Sequence, residues 1–508
     1  MVIPEFSLAQ LPLTLTVLLL GGLSMPILGY VQRRFRRFGL KWIREAWSSA
    51  IAALALYSIY LVNQQLIEES KQTLVFYLWG QSPPLGGTFE IDALSIFMSG
   101  TIAFLGLLVI VYSSKYMEKE GRLTEFYTLV LLMMAGMTGI VMAGDFFTLF
   151  VFWEIMGLSS YVLVAFLKSR WGPVEAGFKY LLMSVSASAF LLLTMSLLYG
   201  MTGTLNFAYL ASSLKGSTEV AWMTLILSLL IIGFGVKSAI VPLHTWLPDA
   251  HPEAPSPISA LLSGIVIETG LYGLTRLLFL LFEPDLFKVT IASLAVVTMS
   301  LANIWAVLQK DIKRLLAYSS IAQIGYMLIG ISTGTAFGVM GTFLHIFNHS
   351  IMKGLAFLSA GSIVHNAGTR DIQRLRGVGK KMPYTTFALF IALLGLGGVP
   401  ATNGFISKFI LFGSAIGAGM PLLAVVGVLN SAFSMAYYLW VMKTLVSKPE
   451  KEVPDVGEAP LIMVVVTSIM AAIILITGLF PNMIIEMAGR ASESLITGLE
   501  YYIRALIP

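Results

Sequence analysis

The chain has 508 residues, 57% of them hydrophobic and only 12% charged, against about 25% charged in soluble proteins. It contains no cysteine, which excludes disulfides, thiolate-ligated iron–sulfur clusters and thiolate zinc sites within it. The net charge of +5 does not point to nucleic acid, because lysine and arginine collect in the short segments between apolar runs, where membrane topology accounts for them.

Long apolar runs rather than short alternating segments predict an all-α, polytopic membrane protein and not a β-barrel. Fourteen spans are expected, at about 11–30, 46–66, 92–113, 123–142, 145–167, 173–200, 220–241, 256–282, 287–308, 314–334, 336–365, 384–411, 417–446 and 459–480. The first run is followed, not preceded, by basic residues, so no cleavable signal is expected. The loop 31–45 holds Arg33, Arg34, Arg36, Arg37, Lys41 and Arg44. Placing it in the cytoplasm puts the N-terminus outside, in the inner or plasma membrane of a prokaryote. Segment 67–91, with Pro83, Pro84, Gly86 and Gly87, is expected to form a small outer hairpin, and 483–506 an amphipathic outer-face helix.

Spans four to eight and nine to thirteen form two sets of five, and an odd number of helices turns the second set upside down. The expected organisation is 1–122 (three helices and the hairpin), 123–282 and 283–446 (the two bundles), and 447–508 (span fourteen and the amphipathic helix). Lys237 precedes Pro242 in the fourth member of the first set. Gly398, Pro400 and Gly404 precede Lys408 in the fourth member of the second. Interrupted helices at matching places point to a transport site.

Ionisable residues inside spans are costly and read first as functional. In chain order these are Glu154 in span five, Glu175 and Lys179 in six, Lys237 in seven, Glu268 in eight, His345, His349 and Lys353 in eleven, and Lys408 in twelve. His345, His349 and Lys353 recur every four residues along about 12 Å of helix axis. A Glu154–Lys237 pair that closes and separates would release and take up a proton, and histidines would pass it on. Bland readings stand beside these. Glu175–Lys179 serves equally as a structural i,i+4 pair. Arg276 and Lys443 lie near span ends and are expected to snorkel. His244 and His251, in a proline-rich turn, serve as helix caps. A metal at His345 and His349 lacks a third ligand nearby.

The segments PLHTWLPDAHPEAPSPISALLSG (242–264), QKDIKRLLAYSSIAQIGYM (309–327), HIFNHSIMKGLAFLSAGSIVH (345–365) and GVPATNGFISKFILF (398–412) resemble the antiporter-like subunits of respiratory complex I, of Mrp sodium/proton antiporters and of membrane-bound hydrogenases. The resemblance covers roughly spans three to thirteen and is nearest the D-type subunit of Mrp and its archaeal hydrogenase-type counterpart. It implies two inverted five-helix bundles joined by a hydrated axis. It also implies that Glu154 and Lys237 gate proton movement, with His244 after them, His345, His349 and Lys353 connecting, and Lys408 terminal. One departure stands out: Glu268 occupies a position where many relatives carry lysine.

The sequence thus predicts a proton- or sodium/proton-translocating subunit of a multisubunit membrane complex. No cofactor is expected in this chain; iron–sulfur clusters would belong to partner subunits, and any oxidoreductase activity to the whole complex. The rival readings are an Mrp-type antiporter without redox partners, a non-conducting structural subunit made inert by Glu268, and a stand-alone solute transporter. A quinone site at His244–His251 finds no support.

Overall fold

The computed structural model describes residues 11–34, 42–68, 72–83, 86–214, 219–448 and 456–506. Arg36, Arg37, Lys41 and Pro84 lie outside them. The chain is a polytopic, all-α membrane protein. It opens with α1 (Leu13–Arg34) and α2 (Ile43–Glu68), a two-stranded hairpin of β1 (Thr73–Tyr77) and β2 (Thr88–Asp92), then α3 (Ala93–Tyr116). A first set follows: α4 (Leu123–Met142), α5 (Phe146–Val164), α6 (Trp171–Thr202), the short α7 (Phe207–Leu214), α8 (Val220–Lys237), α9 (Leu247–Glu253), α10 (Ser256–Leu261) and α11 (Ile267–Leu281). A second set comprises α12 (Pro284–Val307), α13 (Ile312–Ser332), α14 (Ala336–Ala367), α15 (Pro383–Gly397), α16 (Asn403–Gly417) and α17 (Pro421–Val446). The chain closes with α18 (Leu461–Leu479) and α19 (Asn482–Leu506).

Among the described residues, 12 helical spans are long and apolar enough to cross a membrane, against the fourteen expected. The two shortfalls have physical causes. The expected span 336–365 is α14, whose 32 residues suffice in length but carry His345, Asn348, His349 and Lys353. It is buried almost throughout, from Gly338 to Ile363, so its environment is protein rather than lipid. The expected span 384–411 is broken into α15 and α16. Each has 15 residues, about 22 Å of helix, too short alone for a hydrocarbon core of about 30 Å. The break is set by Gly398 and Ala401, whose φ angles are 79° and 69°. The seventh span is also interrupted: α8 stops at Lys237, Ala239 has φ 53°, and Val241–Pro242 is cis. The eighth is continuous from Ser256 to Leu281 but contains a π-helical turn, Leu262–Val266, that ends two residues before Glu268.

The two sets share local construction. The second helix of each begins at an extended aspartate whose carboxylate caps the first turn: Asp145 accepts from Thr148 N, and Asp311 from Lys313 and Arg314 N. The third helix of each, α6 and α14, has 32 residues and ends in a left-handed glycine, Gly203 or Gly368. Three residues later the chain bridges back to the capping aspartate, Asp145 to Asn206 and Asp311 to Asp371. The first bridge lies by the hairpin, where Asp145 accepts from Thr88 N at 2.6 Å. The second lies at the other end of α6, where Asp311 pairs with Arg370, Arg370 with Glu253, and Lys179 of α6 with Asp249.

The hairpin forms as expected, antiparallel, with Thr73 opposite Asp92 and Tyr77 opposite Thr88. The amphipathic α19 packs against both its strands, and against α3, α7, α11 and α14. Arg276 corrects an expectation: it does not snorkel. It is buried on α11 and paired with Glu90 at 2.5 Å and Asp92 at 2.8 Å, and Ser494 of α19 donates to the same Asp92 carboxylate at 2.9 Å. Burial pushes Glu90 up to about 7, although Arg276 opposes the shift. At Asp92, burial works the same way but the charge and hydrogen bond of Arg276 outweigh it, so its value falls. Asp92 is therefore the carboxylate that keeps the charge. Lys443 is exposed, as a snorkelling residue would be.

Candidate functional site

The break after α8 leaves Lys237 as the last helical residue, 1% exposed. Its ammonium donates to Tyr180 Oη at 3.1 Å and Ser184 Oγ at 3.3 Å, and lies 5.5 Å from the centre of the Trp153 ring. Glu154, half-buried on α5, accepts from the hydroxyl of Ser188. Ser184 and Ser188 are one turn apart on α6. The acid and the base are thus each held by the same helix rather than by each other, and no direct Glu154–Lys237 ion pair occurs among the described residues.

The centre of the molecule joins α11 to α14. Gly270 lies so close to the end of α8 that a Cβ there would meet Ser238 Oγ at 2.8 Å and Lys237 Cβ at 3.1 Å. Two residues earlier, Glu268 is fully buried, and its Oε1 contacts His349 Nδ1. Among the described residues, Glu268 Oε2 and His349 Nε2 have no hydrogen-bond partner. The rings of His349 and His345 are 6.1 Å apart. His345 Nε2 faces Gln323 Oε1 at 3.0 Å and Nδ1 faces Ser407 Oγ at 2.8 Å. Because Gln323 Oε1 can only accept, Nε2 carries the proton and Ser407 donates to Nδ1. Lys353, one turn beyond His349, donates to Leu316 O at 2.8 Å and to Ser319, whose hydroxyl meets Tyr438 Oη at 2.6 Å.

The second break holds Lys408. It donates to Leu396 O at 2.6 Å and Ser431 Oγ at 2.9 Å, with its ammonium 4.6 Å from the centre of the Tyr326 ring. Trp153 and Tyr326 are on the second helix of their respective sets, so the two lysines are flanked alike. A Cβ at Gly398 would lie 3.1 Å from Lys408 Cδ; glycine there leaves the side chain its room.

Not every expected residue joins this row. Lys179 is half-exposed at the rim, paired with Glu175 at 2.8 Å and Asp249 at 3.2 Å. His244 stacks on Trp305, with ring centres 4.8 Å apart. His251 is fully buried against Phe357, with both ring nitrogens unpartnered, so it caps no helix end. The carboxylate of Glu268 does reach His349, a partner that sequence distance hid. Even so, no group of three His, Asp or Glu among the described residues is arranged to hold a metal ion.

Sequence reasoning missed Lys313. It is 3% exposed at the start of α13 and donates to Ala254 O at 2.6 Å, a cation on the C-terminus of α9. Its placement one residue before the expected span made it read as a loop charge. Gln323, Ser319, Ser407 and Tyr438 were missed because single polar residues in apolar runs carry no periodic signal.

The row's geometry can be set beside known proteins. Residues 143–434 match the family described as NADH:quinone oxidoreductase/Mrp antiporter, TM. The chain belongs to this family. Residues 83–127 also match the N-terminus of chain 5 of NADH-ubiquinone oxidoreductase, complex I. NADH-quinone oxidoreductase subunit N of Desulforudis audaxviator is 33% identical over 460 residues, 86% of this chain and 90% of that one. A Na(+)/H(+) antiporter polypeptide of Alkalihalophilus pseudofirmus is 32% identical over 483 residues, 88% of this chain and 60% of that one. A chain of the membrane-bound sulfane sulfur reductase, an archaeal respiratory membrane complex, superposes with a TM-score of 0.88 at 28% identity, covering 97% of this chain and 99% of that one. The chain is an antiporter-like membrane subunit of this family.

Proposed function

We propose that this chain moves protons across the membrane as the ion-translocating subunit of a redox-driven complex, through a lateral relay of Glu154, Lys237, Glu268, His349, His345, Lys353 and Lys408. The observation that carries the reading is the burial of six of these side chains, each at most 3% exposed, in one row with hydroxyl, carbonyl and imidazole partners. Buried charges are poor stabilisers, and Lys237 and Lys408 make no direct ion pair among the described residues, so stability alone does not account for them. Lys179 serves as a rim group where protons enter or leave, and His244, 7% exposed and stacked on Trp305, as a buried side branch of the relay.

The row lies within two inverted five-helix bundles, 123–282 and 283–446, which with α1, α2, α3 and α18 make fourteen spans. Support comes from the matched aspartate caps, the matched 32-residue helices and the two breaks. The basic end of α1 faces the cytoplasm, which places the N-terminus, the hairpin and α19 outside. Iron–sulfur clusters belong to partner subunits, beside other membrane subunits of the complex.

The likeness to the Na(+)/H(+) antiporter polypeptide favours one second reading, sodium/proton exchange without redox partners. The deciding experiment purifies the native complex in mild detergent through a tag on this chain, identifies its subunits by mass spectrometry and measures proton uptake after reconstitution, with and without sodium. Iron–sulfur partners and electron-driven proton uptake are expected. Only small membrane subunits with sodium-driven proton flux would establish the second reading, and absence of any proton flux would defeat both.

A further inference from the structure

Between α1, α4, α5 and α6 lies a groove of about 840 Å³ that the ion row does not use, within the roughly 300–1,000 Å³ range of small-molecule sites. One end is cationic. Arg33 in the last turn of α1, Arg122 at the start of α4 and Lys168 just past α5 line it together with one acid, Glu125. Arg44 of α2 reaches the same end, donating to Thr124 Oγ1 at 3.3 Å. Arg122 is held in place by a hydrogen bond to Phe166 O and by the Phe166 ring, 4.7 Å from its guanidinium. The other end is apolar and open to the surface of the bundle, with Val162 40% and Phe178 59% exposed. The floor is closed where α5 and α6 touch: a Cβ on Gly177 would lie 2.7 Å from Ala165 Cβ.

Three cations at the mouth and an apolar trough below them, on helices that span a membrane, match the polarity of one molecule with an anionic head and a hydrocarbon tail. Basic pockets between transmembrane helices take such head groups. We propose that this groove binds one anionic phospholipid, its phosphate against Arg33, Arg122 and Lys168 and an acyl chain along Val162 and Phe178. A helix of a neighbouring protein would satisfy the trough but would leave the three cations to be matched by its own acids.

The test uses the assembled complex in nanodiscs. Tryptophan placed by Phe178→Trp reports contact with lipids brominated on the acyl chain. Brominated phosphatidylglycerol is expected to quench it at lower mole fraction than brominated phosphatidylcholine. The double variant Arg33→Gln/Lys168→Gln removes two exposed cations without touching the buried packing. It is expected to weaken phosphatidylglycerol retention, read by native mass spectrometry, by roughly 30-fold. Equal quenching by both lipids overturns the proposal. So does unchanged retention in the double variant, or a photoreactive residue at position 178 that cross-links to a neighbouring protein chain instead of lipid.

Discussion

Glu268 gives the sharpest perturbation. Its side chain is fully buried, with one oxygen on His349 and the other unpartnered. Glu268→Gln keeps the volume and a hydrogen bond to His349 but removes the exchangeable carboxyl proton. Exchanging one neutral hydrogen bond for a weaker one costs at most about 0.5–1.5 kcal/mol, little enough for the complex to assemble. Transport is expected to fall at least about 100-fold, the low end of what one positioned proton carrier contributes. Glu268→Lys instead sets a second buried cation beside His349, one turn from Lys353, and leaves it without a carboxylate. That is expected to cost about 3–5 kcal/mol, the range for breaking a buried pair, seen as a lower melting temperature. Both variants are assayed as purified complexes reconstituted in liposomes with a pH-sensitive dye inside. Normal transport by the Gln variant would refute the relay through Glu268. A gain of transport in the Lys variant would mean that the acid makes the native chain inert.

Arg276→Ala leaves two carboxylates buried without their base, so a loss of about 3–5 kcal/mol is expected, together with protease cleavage in the hairpin. Unchanged melting and an intact hairpin would contradict the clamp. Glu90 adds a pH dependence. Burial holds it at about 7 in the folded chain against an ordinary 4.5, so folding favours its protonated form. The stability this contributes is complete below pH 4.5 and is lost as pH rises through 7. The melting temperature should fall over that window and Glu90→Gln should flatten the fall; a variant with the native slope would refute the assignment. At the second break, a Cβ on Gly404 would meet Gly395 O at 2.0 Å, a backbone clash. Gly404→Ala is expected to cost about 1–3 kcal/mol and to lower transport by displacing α16, which carries Ser407 and Lys408. A melting curve and transport rate like the native ones would show that the break is not rigid.

Much of this was legible in the sequence because bilayers enforce simple rules. Apolar runs marked the helices, Gly398 and Pro242 marked the breaks, and ionisable residues inside spans marked the row. What stayed hidden was pairing over distance. Arg276 meets Glu90 and Asp92, which lie far earlier in the chain, so its place near a span end suggested snorkelling when the hairpin in fact covers it. The Glu268–His349 contact is invisible for the same reason. Glu154 and Lys237 were visible as acid and base, but not that Ser184 and Ser188 hold them apart. α14 falls short of the apolarity of the other spans because a helix shielded by protein does not need the hydropathy of one facing lipid.

The central claim rests on Lys237. In Lys237→Met the stem and its packing survive while the ammonium, its hydrogen bonds to Tyr180 and Ser184, and any proton it carries are gone. Proton uptake by the reconstituted complex, measured per assembled complex, is expected to fall at least about 100-fold with subunit composition unchanged. Uptake at the native rate would contradict the relay outright.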